Sequence, residues 1–176
     1  MAAQKPRISC EFFPPKTGAG IDRLMTEVTP ALNALGPEFF SVTYGAGGST
    51  RDTTVGLVSS IREAGIDVAP HLSFGGDGET TIAALLETYQ GAGIKRLVAL
   101  RGDVPSGTGG PAQLIYASQL VAFIRERTGD HFHIEVAAYP EIHPEAKSYD
   151  TDVAFLKTKF DAGADSAITQ YFFNVE

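Results

Sequence analysis

Cysteine is almost missing from this chain: Cys10 is the single one among 176 residues, which excludes an internal disulfide framework. Basic charge is also scarce. The 14 Lys and Arg stand against 21 Asp and Glu, the net charge is −7, and the basic residues are scattered singly. The chain therefore offers no basic patch to nucleic acid or to an anionic membrane surface, and a small-molecule role fits better. No run of about 18 apolar residues and no charged-then-apolar leader occurs, so no membrane partner and a cytoplasmic location are expected. A full G-x-G-x-x-G, a Walker loop and an H-x-x-x-H ligand pair are absent too. A Schiff-base lysine at a strand exit is likewise missing: Lys95 lies at the wrong end of a strand, and Lys157 and Lys159 sit on a helix.

What is present is a repeat. With 43% apolar and 10% aromatic residues, the chain has material for one globular domain over residues 1–176. Five amphipathic segments each close on a glycine suited to a left-handed cap, namely Gly36, Gly65, Gly93, Gly129 and Gly163. Each is followed within a few residues by a short apolar run, starting at Phe39, Val68, Arg96, His133 and Ser166, and "RISCEFF" from Arg7 adds one more. Six strands alternating with five helices predict a parallel sheet covered by helices. Leu24, Val28, Ala31, Leu32 and Leu35, or Ile82, Leu85, Leu86 and Tyr89, are read as core stripes.

Polar groups stand at the strand exits: Glu11, Thr43, His71, Arg101 with Asp103, Tyr139 with Glu141, and Gln170. In a (β/α)8 barrel these converge on one rim, whereas a doubly wound sheet would spread them along an edge. The barrel is the expected fold, incomplete here, with the chain forming its front three quarters.

Several stretches carry candidate chemistry. "YGAGGST" (44–50) is a glycine-rich turn that could face an anion or simply make a tight strand-to-helix turn, and "PSGTGG" (105–110) is a longer loop. "RGD" (101–103) ends a strand and is read as a charged pair aimed at the rim. "AAYPEIHPEAKS" (137–148) gathers Tyr139, Glu141, His143, Glu145 and Lys147 in an extended loop, while His131 and His133 fall on the opposite rim. Cys10 is expected to be a buried structural thiol. Glu11, beside Cys10, Phe12 and Phe13, is expected to have a pKa raised toward neutrality. No metal is expected.

Taken together and in order, "EFFPPK", "SVTYGAGGSTRD", "APHLSF", "LVALRGD", "YAS", "AAYPEIHPEAKS" and "DAGADSAITQYFFNVE" resemble the methylenetetrahydrofolate reductases from about Arg7 to Glu176. That resemblance implies a (β/α)8 flavin enzyme of one-carbon metabolism. It implies that NADH or NADPH reduces FAD, which then reduces 5,10-methylenetetrahydrofolate to 5-methyltetrahydrofolate in a ping-pong cycle. It also implies a homo-oligomer with folate and nicotinamide substrates.

By motif, the implied FAD contacts are Thr43, Tyr44 and Ala46, then His71, then Arg101, Gly102 and Asp103. Tyr116 and Ala117 follow, then Tyr139, His143 and Ala146, and finally Asp152 and Lys159 toward the adenosine and phosphate end. Glu11 resembles the family's proton donor to N10, Asp103 its electrostatic stabiliser of the iminium, and Gln170 a pterin contact, with Thr43 and Glu11 also at the substrate. Phe155 and Thr158 stand where relatives can present polar or basic groups. Three alternatives stay open beside this: another flavin barrel oxidoreductase, a metal-dependent hydrolase using His71, His143 and Asp103, and a non-catalytic barrel fragment.

Overall fold

A computed structural model of the chain describes residues 7–45, 50–74, 78–101 and 116–174. Six strands form one sheet: β1 (Ser9–Phe12), β2 (Phe39–Val42), β3 (Val68–Ser73), β4 (Arg96–Leu100), β5 (His133–Ala138) and β6 (Ser166–Thr169). All neighbouring pairs are parallel, and the order in space is the order in sequence. A doubly wound sheet reverses its order at a switch point, and this one does not. The architecture is a curled, incomplete α/β barrel.

The helices are α1 (Gly18–Arg23), a π turn at Leu24–Val28, α2 (Thr29–Asn33), α3 (Arg51–Glu63), α4 (Glu79–Gly91), α5 (Ala117–Thr128) and α6 (Tyr149–Asp161). The π turn has a local cause. Pro30, the second residue of α2, has no N–H to donate, and the Thr29 N–H reaches back five residues to the Leu24 carbonyl. The five glycines of the repeat all have positive φ, from 55° to 111°. All five thus take a backbone conformation that favours glycine, although at Gly129 ψ is −133°, away from the left-handed cap expected there.

Alternation along the strands divides the side chains between two faces. Phe12, Phe40, Val42, Val68, Leu72, Leu97, Ile134 and Val136 point toward the helices, where they meet Leu57, Ile61, Ile82, Leu86, Leu120 and Ile124. That layer is the main core. A smaller inner group, Phe39, Ala69 and Val98 with Leu100, lines the concave face. Burial is complete along β3 and fades at both edges: β6 has no buried residue, and neither does α6. Leu35, read from the sequence as part of a core stripe, stays 69% exposed beside the chain turn at Gly36. Cys10 is half-buried rather than buried, packed at the margin of the core on the edge strand. Among the described residues no helix is long and apolar enough to cross a membrane.

Candidate active site

The strand exits surround a cleft of about 620 Å³, within the range of roughly 300–1,000 Å³ usual for small-molecule and cofactor sites. Tyr44 after β2, Arg101 after β4, and Tyr139, His143 and Ala146 after β5 line it. Tyr116 and Ala117 enter from the start of α5, Asp152 and Lys159 from α6, and Gln170 from the end of β6. The sequence-predicted cofactor residues are thus largely brought together. Thr43, His71 and Glu11 are not on its lining. Ala46, Gly102 and Asp103, and the loop 105–110, lie outside the described residues, as does most of the glycine-rich turn.

Local chemistry holds these groups in place. Ser148 caps α6 by accepting the Thr151 N–H, which sets the helix with Asp152, Phe155 and Lys159 on one stripe toward the cleft. The Asp152 carboxylate accepts the His143 N–H at 3.1 Å, and the Tyr139 and His143 rings meet edge to face at 4.5 Å. Arg101 donates two hydrogen bonds to Glu145, at 2.5 and 2.9 Å. That pairing joins two strand exits 44 residues apart, so Arg101 is braced by a partner that the local "RGD" reading did not supply. Lys159 donates to the Ala137 carbonyl at 2.7 Å. Its burial pushes the ammonium pKa down, against the raising influence of Asp152. A cation kept partly out of water at a cleft wall is the kind of group that binds phosphate strongly.

The β5 exit loop is strained and clamped. Ile142 has φ of 68°, a left-handed conformation unusual for a β-branched residue. On one side of it, Glu141 accepts the N–H groups of Phe173 and Asn174 at 3.0 and 2.9 Å, and these bonds, that of Asn174 first, hold its carboxyl below the usual range. The loop that carries His143 is thereby tied to the segment after Gln170.

Glu11 corrects a sequence expectation. Its carboxyl is held below the usual glutamate range, not above it, chiefly by the His71 imidazole, with partial burial opposing and the Ser41 hydroxyl assisting. The reason is the alternation of the strand. Cys10 and Phe12 turn to the helix side and Phe13 is 75% exposed, so the apolar neighbours in sequence do not surround the carboxylate. On its own face it meets Ser41 Oγ at 3.4 Å and His71 Nε2 at 3.3 Å.

Sequence reasoning left Glu145 without a role and did not consider Ser73, Ser118 or Leu100, which also line the cleft. Glu145 had a signal, as one of two acids in a motif already singled out. The others had none beyond their places at strand and helix ends. Phe155 and Thr158 do line the cleft, at its α6 wall. Among the described residues no three His, Cys, Asp or Glu side chains gather as a metal site.

Known proteins of two kinds resemble this chain. Among solved structures, a phosphoenolpyruvate phosphomutase from Streptomyces platensis subsp. rosaceus superposes with a TM-score of 0.60 at 13% identity, covering 94% of this chain and 60% of that one. At that identity the likeness concerns the fold alone. Sequence relatives are nearer. The 5,10-methylenetetrahydrofolate reductase of Pectobacterium carotovorum subsp. carotovorum is 45% identical over 170 residues, 96% of this chain and 55% of that protein. The enzyme of the same name from Escherichia coli (strain K12) is 44% identical over 170 residues, 96% of this chain and 56% of its own. The chain spans little more than half the length of these relatives. The family model for methylenetetrahydrofolate reductase matches residues 1–176 from end to end, and with the relatives it places this chain in the methylenetetrahydrofolate reductase family.

Proposed function

We propose that residues 1–176 form part of a catalytic barrel that reduces 5,10-methylenetetrahydrofolate to 5-methyltetrahydrofolate with NADH or NADPH through FAD. The cleft at the strand exits carries this reading: it combines a desolvated Lys159, a braced Arg101 and aromatic side chains in a chain of this family. Those residues fit a dinucleotide. Lys159 and Arg101 supply charge for a pyrophosphate, Asp152 steadies the α6 end, and Tyr44, Tyr139 and the strand-end alanines offer flat apolar support. When bound, FAD supplies a centre that takes a hydride from the nicotinamide and gives it to the folate. Thr43, Ala46, His71, Gly102, Tyr116, Ala117, His143 and Ala146 belong to the same binding proposal, as do a cytoplasmic location and a homo-oligomeric state.

The protein's own chemistry concerns a proton. The methylene bridge accepts a hydride only after one C–N bond opens to an iminium, and that opening requires N10 to be protonated. Glu11 is the proposed donor. Its carboxylate is half exposed, and a ligand that covers it removes water and pushes the pKa up, the direction acid catalysis near neutrality needs. Asp103 is proposed to stay ionised and stabilise the cation. Gln170, at the cleft's edge, is proposed to hydrogen-bond the pterin.

Two measurements test the reading. The purified protein should be yellow, bleach with NADH or NADPH, and regain colour on adding methylenetetrahydrofolate; a colourless protein that takes up no FAD overturns it. In stopped flow, Glu11→Gln should slow folate reduction by about 10²–10⁴-fold while leaving flavin reduction largely intact. Equal losses in both half-reactions would remove Glu11 from the acid role.

A further inference from the structure

Glu11 and His71 lie on strands that are not neighbours. β2 runs between them, so the pair must reach across a full inter-strand gap on either side of it. The contact exists because the β2 residue in register with Glu11 is Ser41, which is small and places its hydroxyl 3.4 Å from the same Oε2 that His71 Nε2 approaches at 3.3 Å. A branched side chain at position 41 would stand between them.

The two partners differ in their access to water. The His71 side chain is 8% exposed, and that of Glu11 is 45% exposed. His71 Nε2 is buried, has no other hydrogen-bond partner among the described residues, and lies 3.3 Å from Glu11 Oε2. Among the described residues, the groups that face Glu11 from the packed strands are Ser41 and His71, since Cys10 and Phe12 lie on the other side of β1.

We propose that His71 is a positioning residue that holds the transferable proton for Glu11, an inference resting on the acid role proposed above. The pair shares one proton, and while water reaches Glu11 the carboxylate is its ionised member. When a ligand covers Glu11, the carboxylate loses hydration and the proton moves from Nε2 to Oε2, ready for a basic nitrogen of the substrate. One proton leaves the pair for that nitrogen in each cycle, and one returns from water once the product has gone. The arrangement lets a carboxyl that is acidic in the open site serve as a proton donor in the covered one.

The test is a ¹³C NMR titration of the Glu11 carboxyl in the full chain, assigned by its loss in Glu11→Gln. His71→Gln should raise the Glu11 midpoint by about one pH unit or more, as expected when an opposite charge within about 4–6 Å is removed. His71→Asn, which likewise removes the imidazole and leaves the Ser41 hydroxyl in place, should raise it in the same direction. Circular dichroism checks that each variant is folded, and if one is not, the other decides. A Glu11 midpoint that stays put in a folded variant overturns the proposal. That result would leave the acid role standing, because the role is judged by the half-reactions of Glu11→Gln, whereas an inactive acid with a shifted titration would sink the acid role and keep the pair.

Discussion

Tyr89 is 1% exposed on α4, and its hydroxyl has no hydrogen-bond partner among the described residues. Burial pushes the phenol's pKa up, so the group stays neutral, but an unpaired hydroxyl in an apolar layer still costs free energy. Tyr89→Phe is therefore expected to hold or raise stability, by up to about 1 kcal/mol, in urea melts. A loss of that size would show that the hydroxyl has a partner. Tyr89 was legible in the sequence as a member of a helical stripe, because periodicity reports which face is buried. It does not report whether a polar tip is satisfied. Glu11 shows the same boundary. A carboxylate within an apolar strand was conspicuous, but its neighbours in sequence misjudged its acidity, since the groups that set it are 30 and 60 positions away, at Ser41 and His71.

At the scale of elements, the turn before β6 is held by one side chain that sequence patterns do not single out. Arg125, on α5, donates to the carbonyls of Gly129, Phe132 and Gly163 at 3.1, 2.8 and 2.9 Å and to the Asp165 carboxylate at 2.6 Å. It thus pins the end of α5, the approach to β5 and the approach to β6. At Gly163, φ is 111° and an added Cβ would lie 2.8 Å from Arg125 Cγ. Gly163→Ala should cost about 2 kcal/mol or more, from the strained φ and the displaced arginine. Gly56, inside α3, meets nothing within 4 Å where its Cβ would go, and Gly56→Ala should stabilise by about 0.5–1 kcal/mol. Denaturant melts of both variants check the opposite signs, and a common sign would refute the account. The glycine repeat was readable because left-handed caps recur at a fixed place in each unit. The π turn before Pro30 was not, since one proline leaves open how the preceding turn will adjust.

At the scale of the molecule, alternating strands and helices, with polar groups at the strand exits, sufficed to prefer an incomplete barrel. The cleft walls were harder to read: the α6 stripe and the Arg101–Glu145 brace depend on how far the sheet curls. The unreversed strand order has a consequence for how the chain acquires its shape. Among the described residues every strand pairs only with its neighbours in sequence, so each strand–helix unit can dock on the one before it without waiting for a distant partner. Such a chain grows like a stack, with the best-buried layers in the middle and the least secured at the ends. Amide hydrogen exchange should therefore be slowest in β3 and β4 and fastest in β1, β6 and α6. Uniform protection would mean that the sheet opens only as a whole. Assembly can follow synthesis from one end to the other, with β3 and β4 able to lock behind the leading strand while later units are still being added.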